Sequence, residues 1–126
     1  MRDVYQSFQE LSQCERAGID YEIECVIRRR EIVVLAIHGG TMEIGTEEVA
    51  EKIAEKLNAT VYVFKTLKTE NPFELHVTSA NIANGNQRHK GLQLEITTLQ
   101  YEQLLKDNQL FNEYVNAVVS AVNSVM

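Results

Sequence analysis

The sequence is poor in the residues on which several specialised folds depend. It contains two cysteines, one proline and no tryptophan in 126 residues. Two cysteines cannot form a disulfide scaffold, and the spacing of Cys14 and Cys25 matches no metal or redox motif, so reduced thiols are expected. The single proline and the lack of low-complexity tracts argue against a linker or a disordered tail. The length therefore predicts one domain spanning residues 1–126.

Long apolar runs and an excess of basic residues are missing as well. No apolar stretch is long enough to cross a bilayer, and the polar start, Met1–Gln6, is not followed by the apolar core of a signal peptide. The formal net charge of −6 argues against nucleic-acid binding, because phosphate contacts require a basic surface. These absences predict a cytoplasmic protein that binds neither membranes nor nucleic acids.

One stretch carries the strongest functional signal. The apolar run Val33–Ile37 leads directly into His38-Gly39-Gly40, and Glu43 follows five residues after the histidine. The run predicts a buried strand, and the glycine pair permits a sharp turn at its carboxyl end, where open α/β sheets build their sites. His38 and Glu43 are residue types that bind zinc, so they are candidate metal ligands. The alternative is a structural histidine that is hydrogen-bonded to a neighbour.

The segments on either side of this loop predict a strand–helix–strand unit. A strand over residues 31–38 is followed by an amphipathic helix that Thr46 caps and Asn58 ends. Residues 60–64 are rich in β-branched and aromatic side chains and predict the second strand. Such a unit has parallel strands and a right-handed crossover.

The N-terminal third of the sequence predicts one helix and one strand. Apolar residues at helical spacing indicate a helix over residues 4–16, which Gly18 would end. Residues 21–27 alternate apolar and acidic side chains, as in a half-exposed strand. Arg28–Arg30 fall in the turn before the next strand, and we interpret them as a solvated hairpin tip rather than an anion site.

The C-terminal half predicts two strands and two helices. Residues 73–79 and 91–97 are the strands, and the polar, turn-rich residues between them form a loop. A helix over residues 98–105 precedes a last helix whose apolar side is wide enough to cover one face of the sheet. The predicted fold class is a three-layer α/β sandwich with a mixed, partly parallel twisted sheet and flanking helices.

Three residues in this half are further candidates for chemistry. His76 is either a third metal ligand or a half-buried histidine bonded to a neighbour. Glu95 is a lone acid that either acts as a general base or faces solvent from the polar side of its strand. Arg88, followed by His89 and Lys90, either binds a substrate carboxylate or lies in a solvated loop.

Three segments share the pattern of one family, and the middle segment is the most specific because its His, both Gly, Glu and Gly-Thr fall in register. The matching residues are, in chain order, Tyr5, Phe8, Leu11, Glu15 and Gly18-Ile19-Asp20-Tyr21-Glu22-Ile23; Ala36-Ile37-His38-Gly39-Gly40, Glu43, Gly45-Thr46, Glu48, Ala50 and Leu75-His76-Val77-Thr78-Ser79; and Asn81-Ile82, Asn84 and Gly91-Leu92-Gln93-Leu94-Glu95. On these residues the chain resembles the phage and bacterial poly-γ-glutamate hydrolases, which are zinc peptidases with a carboxypeptidase-like α/β fold.

The resemblance implies a cofactor, a substrate and roles for particular residues. Zinc would be held by His38 and Glu43, and Glu95 would be the general base. Water activated by the metal would attack the γ-amide carbonyl of poly-γ-glutamate or of a γ-glutamyl peptide. Asn84 and Arg88 would contact this substrate.

The chain departs from the family between two of the matching segments. The family has a sizeable insertion there with a second histidine in an Ile-His-Gly context, which is expected to be the third zinc ligand, whereas here Ser79 runs directly into Ala80. Ala83 and Gly85 also stand where the family usually has Cys and Arg. The third ligand is then His76 or, less favourably, His89, or it comes from a partner chain in a homo-oligomer, or the site is incomplete.

Two other functions compete with the hydrolase. A shortened family member with an incomplete metal site would serve as a non-enzymatic α/β binding or interaction domain. Alternatively, the chain would dimerise through the last helix, where Val118, Val119, Val122 and Val125 cover more than one face. The acidic net charge opposes the binding of a polyanionic substrate at long range. At physiological salt, however, charges are screened beyond about 8 Å, so the charges close to the site decide whether such a substrate binds.

Overall fold

A computed structural model describes residues 5–75 and 98–125 of the chain. The helices and strands are, in chain order, α1 (Phe8–Cys14), β1 (Tyr21–Val26), β2 (Arg29–Gly40), α2 (Thr46–Leu57), β3 (Ala59–Thr66), a 3-10 helix (Pro72–Leu75), α3 (Thr98–Lys106) and α4 (Asn108–Val125). The predicted strand over residues 91–97 and the loop before it lie outside the described residues.

The three strands form one mixed sheet in the order β1-β3-β2. β2 runs parallel to β3, with Val34 beside Val61 and Leu35 beside Tyr62, and α2 connects the two strands. β1 is antiparallel to β3 on its other side. The parallel strand–helix–strand unit predicted around the glycine loop is therefore confirmed.

Each face of the sheet has its own hydrophobic core, because successive residues of β3 point to opposite sides. Val61 and Val63 pack with the apolar stripe of α2, which includes Ile53 and Leu57. Phe64 points the other way and packs with a set of residues around α1: Tyr5, Leu11, Tyr21, Met42 and Leu75. Helices thus flank a mixed sheet, as the predicted fold class requires.

The sequence predicts a last helix wide enough to cover one face of the sheet, but α2 makes the main contacts on that face. α2 lies against β2 and β3, while α4 packs against α2 and α3. Val115 is fully buried in the core of the α2 face, and Val118, Val119 and Val122 pack against it. α2 therefore makes the main contacts with this face of the sheet, and α4 joins the same core.

The interpretation of Arg28–Arg30 as a hairpin tip is also wrong. β3 lies between β1 and β2, so the segment that joins them is not a hairpin but crosses past the start of β3. The Arg28 guanidinium donates to the Ala59 carbonyl over 2.9 Å, and the Arg28 backbone N–H donates to the Thr60 hydroxyl over 3.0 Å. β2 begins two residues earlier than predicted, at Arg29.

Three local predictions are corrected. Residues 72–75 form a 3-10 helix instead of the start of a strand, because the fixed φ of Pro72 favours a helical turn; the rest of that predicted strand lies outside the described residues. Gly45, not Thr46, is the N-cap of α2, with a φ of 104°. α1 spans Phe8–Cys14 instead of residues 4–16, so it ends before Gly18. No helix in the described parts of the chain is long and apolar enough to cross a membrane.

Candidate metal centre

His38 lies near the carboxyl end of β2, at an irregularity in the strand. Ala36 pairs with Val63 and Gly39 pairs with Lys65, so β2 advances by one more residue than β3 between these pairs. Such a bulge redirects the side chains next to it and often occurs beside functional sites. The sequence predicts a strand that ends at His38 and turns at the two glycines, whereas β2 continues through Gly40. The two glycines that follow the histidine were the available signal for the bulge.

The two glycines allow the end of β2 to lie directly against β3. Gly40 has a φ of 69°, and a Cβ built there would overlap the backbone carbonyl of Thr66 and lie 2.8 Å from its nitrogen. A Cβ at Gly39 would lie 3.1 Å from the Phe64 carbonyl oxygen and 3.1 Å from a methyl group of Val63. No other residue type could replace Gly40 without moving the two strands apart.

The chain then folds back so that Glu43 lies over His38. The Thr41 backbone N–H donates to the Thr66 carbonyl over 3.1 Å. Its hydroxyl shares a 2.8 Å hydrogen bond with the buried Thr66 hydroxyl and also donates to the Lys68 carbonyl. The Glu43 N–H donates to the His38 carbonyl over 3.0 Å and closes the turn.

This turn brings the two predicted ligands together. His38 Nδ1 lies 3.3 Å from Glu43 Oε1, and the two side chains are 26% and 42% exposed. The pair is therefore reachable from solvent, as a site for an external ligand must be. A separation of 3.3 Å suits an imidazolium–carboxylate ion pair, and it equally suits two ligands of one metal ion.

A tyrosine from α3 closes the loop on its far side. The ring of Tyr101 lies against Gly45, and a Cβ built on this glycine would come within 2.8 Å of the ring. Tyr101 itself is buried. Burial raises the pKa of the Tyr101 hydroxyl, the neighbouring Thr46 hydroxyl lowers it, and the charge of Glu43 raises it again. The C-terminal helices therefore reach the same loop as the candidate ligands.

A second cluster of charged groups lies next to this loop. Carboxylate oxygens of Glu24, Glu47 and Glu51 come within 4.8 Å of one another. The Lys65 ammonium lies between them, 3.1 Å from Glu24 and 3.3 Å from Glu47. The Glu24 carboxylate raises the pKa of Lys65, so the lysine supplies the cation that balances the carboxylates. The spacing of Glu47 and Glu51 by one helical turn was the available sequence signal for this cluster.

The described residues contain two of the predicted site residues. His38 and Glu43 lie together at the carboxyl edge of the parallel strands, as predicted. Within 5–75 and 98–125, no third His, Cys, Asp or Glu side chain joins this pair in a group of potential ligands. The other predicted site residues lie outside the described residues: His76, Asn84, Arg88, His89 and Glu95.

The protein is thus an α/β domain with a mixed sheet, in which a histidine–glutamate pair lies at the carboxyl end of the parallel strand β2. Comparison with known proteins gives its family. The family model described as poly-gamma-glutamate hydrolase matches residues 5–81. The chain belongs to this family. The match ends before α3, so the two C-terminal helices lie beyond it.

Known relatives support the same assignment. The chain is 39% identical to the UPF0714 protein YndL of Bacillus subtilis (strain 168) over 79 residues, which are 63% of this chain and 30% of YndL. It is 37% identical over 79 residues to the SPbeta prophage-derived UPF0714 protein YoqZ of the same organism, covering 63% of this chain and 28% of YoqZ. The chain thus matches less than a third of the length of these relatives.

Two solved structures share the fold. A bacteriophage poly-gamma-glutamate hydrolase superposes with a TM-score of 0.59 at 27% identity. A zinc-free apo form of YndL superposes with a TM-score of 0.55 at 36% identity. Each superposition covers 67% of this chain and 42% of the other.

Proposed function

We propose that this chain is a zinc-dependent hydrolase of γ-glutamyl amide bonds, with poly-γ-glutamate or a γ-glutamyl peptide as its substrate. The observation that carries the proposal is the convergence of His38 and Glu43 at the bulged end of β2, with their ligand atoms 3.3 Å apart. Membership of the poly-gamma-glutamate hydrolase family supports the reaction class. The existence of a zinc-free form of YndL supports the choice of metal.

The geometry of the pair fits zinc. Two ligand atoms that each lie about 2.05 Å from a tetrahedral zinc ion are separated by about 3.3 Å. The observed separation of His38 Nδ1 and Glu43 Oε1 is 3.3 Å. Imidazole nitrogen and carboxylate oxygen are both common zinc donors, and catalytic sites combine three such ligands with an open position. The pair therefore supplies two of the three protein ligands.

The proposal gives each site residue one role. Zinc, when bound, polarises the amide carbonyl and lowers the pKa of water. His38, Glu43 and His76 hold the ion. Glu95 accepts a proton from the attacking water and passes it to the leaving amine. Arg88 and Asn84 bind the substrate, since a guanidinium can pair with a glutamyl carboxylate through two hydrogen bonds.

The histidine content of the chain allows a sharp test of the metal site. The chain has three histidines, at positions 38, 76 and 89. After dialysis we expect the wild-type chain to retain zinc in stoichiometric amount, measured by mass spectrometry of the metal. The His38→Ala and His76→Ala variants should lose it, while the matched control His89→Ala should keep it. A wild-type chain that retains no zinc, and whose melting temperature zinc does not change, contradicts the proposal.

Activity is tested separately from metal binding. Cleavage of poly-γ-glutamate is followed by the loss of polymer length on gel filtration and by the release of amino groups. The Glu95→Gln variant should keep zinc and lose cleavage, because it removes the proposed base and preserves its shape. Cleavage by Glu95→Gln at the wild-type rate would rule out this role for Glu95.

A second function is favoured by the ligand count. Within residues 5–75 and 98–125, two side chains, His38 and Glu43, are candidate ligands of this centre. A catalytically incomplete member that acts as a non-enzymatic binding domain would show neither zinc nor cleavage but would still bind poly-γ-glutamate. A ligand from a partner chain in a homo-oligomer would instead make zinc binding depend on protein concentration.

A further inference from the structure

The turn that carries Glu43 is fixed at both ends by buried residues. Met42, immediately before Glu43, is buried in the core on the α1 face of the sheet. Gly45, two residues after Glu43, is buried under the ring of Tyr101 on the other face. Between these two points only Glu43 and the exposed Ile44 remain. The position of the Glu43 carboxylate therefore depends on how firmly these two points are held.

The Tyr101 ring occupies the place where a side chain at Gly45 would begin. Its φ of 104° is one that side-chain-bearing residues rarely adopt, and the three atoms nearest to a Cβ built there all belong to Tyr101, at 2.8, 3.1 and 3.2 Å. The glycine thus has no Cβ at the place that the tyrosine ring occupies. Gly45 is also the N-cap of α2, and its carbonyl accepts a hydrogen bond from Val49. The ring consequently lies against the junction between the turn and the helix.

The residue that makes this contact lies outside the part of the chain that matches the family model. The match to the family model ends at residue 81, whereas Tyr101 belongs to α3. α3 is held in turn by α4, with which it packs, and Leu104 and Val115 lie in the same core as Tyr101. The C-terminal helices therefore have a route by which to act on the candidate metal centre.

We propose that Tyr101 is a positioning residue for metal binding, which holds Gly45 and so keeps Glu43 beside His38. This rests on the proposed zinc function. The packing of the aromatic ring against Gly45 is what keeps the turn in place. Loss of groups that orient metal ligands typically lowers metal affinity by about 10- to 100-fold.

The test compares two tyrosines that are replaced by leucine. Tyr101→Leu removes the ring from Gly45, and Tyr114→Leu is the matched control, since Tyr114 packs against the same core from α4. Zinc affinity is measured by titration of the apo protein with zinc chloride against a chromogenic chelator. We expect a loss of about tenfold or more for Tyr101→Leu, little change for Tyr114→Leu, and wild-type affinity for Tyr101→Phe.

A second measurement needs no metal. In the apo protein, the Glu43 amide donates to the His38 carbonyl and the Thr46 amide donates to the Glu43 carbonyl, over 3.0 and 3.3 Å. Hydrogen exchange at both amides should become faster in Tyr101→Leu and stay unchanged in Tyr114→Leu. This readout reports the position of the turn rather than overall stability, which the control variant also lowers.

The outcomes separate the two proposals. If the wild type binds no zinc, the proposed function fails, while faster exchange confined to Tyr101→Leu would still support positioning of the turn. If the wild type binds zinc and Tyr101→Leu binds it equally well, the role of Tyr101 is overturned. Equal losses of affinity in both leucine variants, or a loss in Tyr101→Phe as large as in Tyr101→Leu, would also overturn it.

Discussion

Three glycine-to-alanine substitutions measure how much the close approach of β2 to β3 contributes to stability. Gly18 and Gly40 both have positive φ, at 82° and 69°. A Cβ at Gly18 would meet nothing within 4 Å, whereas a Cβ at Gly40 would overlap the backbone of Thr66. Gly39 is intermediate, because its Cβ contacts would be 3.1 Å at the closest. The three variants differ in steric overlap more than in chemistry.

The magnitudes follow from these contacts. An L-residue forced into the left-handed region costs about 1–2 kcal/mol, which is the whole effect expected for Gly18→Ala. Gly40→Ala carries the same cost and must also separate two paired backbones, so we expect a total above about 4 kcal/mol. Gly39→Ala should fall between them, at about 2 kcal/mol, because the Val63 methyl group can move but the Phe64 carbonyl cannot.

Urea unfolding monitored by circular dichroism gives the free energies of unfolding. A domain of this size should show a fall in melting temperature of about 3–5 °C for each kcal/mol. Gly18→Ala therefore tests the φ cost alone, and the difference between Gly40→Ala and Gly18→Ala tests the steric overlap. Equal losses in these two variants would refute the reasoning, since they would show that β2 is not held against Thr66.

Four further predictions concern the residues around the site. Lys65→Met should lower the free energy of unfolding by about 1–3 kcal/mol at neutral pH. This loss should shrink in acid as the carboxylates protonate, and melting temperatures measured across a range of pH test it. Burial, followed by the charges of Glu24 and Glu47, raises the pKa of Glu51 in the folded protein. The stability that the protonated Glu51 contributes is therefore lost as pH rises through this folded pKa. Glu51→Gln should melt at a higher temperature than wild type at neutral pH but not in acid. Thr41→Val should cost about 1–3 kcal/mol in urea unfolding, because it leaves the buried Thr66 hydroxyl with one fewer partner. Val115→Ala should cost about 2–3 kcal/mol by the same measurement if α4 belongs to the core, and no loss would show that this helix is dispensable.

The parallel unit could be predicted from the sequence because its signals are local. The apolar run before His38, the stripe of α2 and the β-branched run of β3 each fix one element, and the short connections between them leave little choice of topology. Asn58 ends α2 in a left-handed conformation, as its residue type suggests. The family resemblance also followed from the sequence, and its most specific motif, from Ala36 to Ala50, lies within this unit.

Other features depend on which strands become neighbours, and adjacent segments do not specify this. The pattern of Arg28–Arg30 is compatible with a hairpin, and only the insertion of β3 between β1 and β2 gives Arg28 its partners at Ala59 and Thr60. The same pairing decides the place of Lys65. It brings Glu24 from β1 and Glu47 from α2 to one ammonium group, across 41 and 18 residues of sequence.

At the candidate centre, the sequence by itself identified the candidate ligands, His38 and Glu43, and placed them at the carboxyl end of a parallel strand. It could do so because residue type and hydrophobic period are local properties of the chain. The tertiary structure decided their separation of 3.3 Å, through the bulge against β3 and the fold-back of Thr41 onto Thr66. It also decided that Tyr101, far along the chain, lies on Gly45, because packing between distant elements depends on the shape of both.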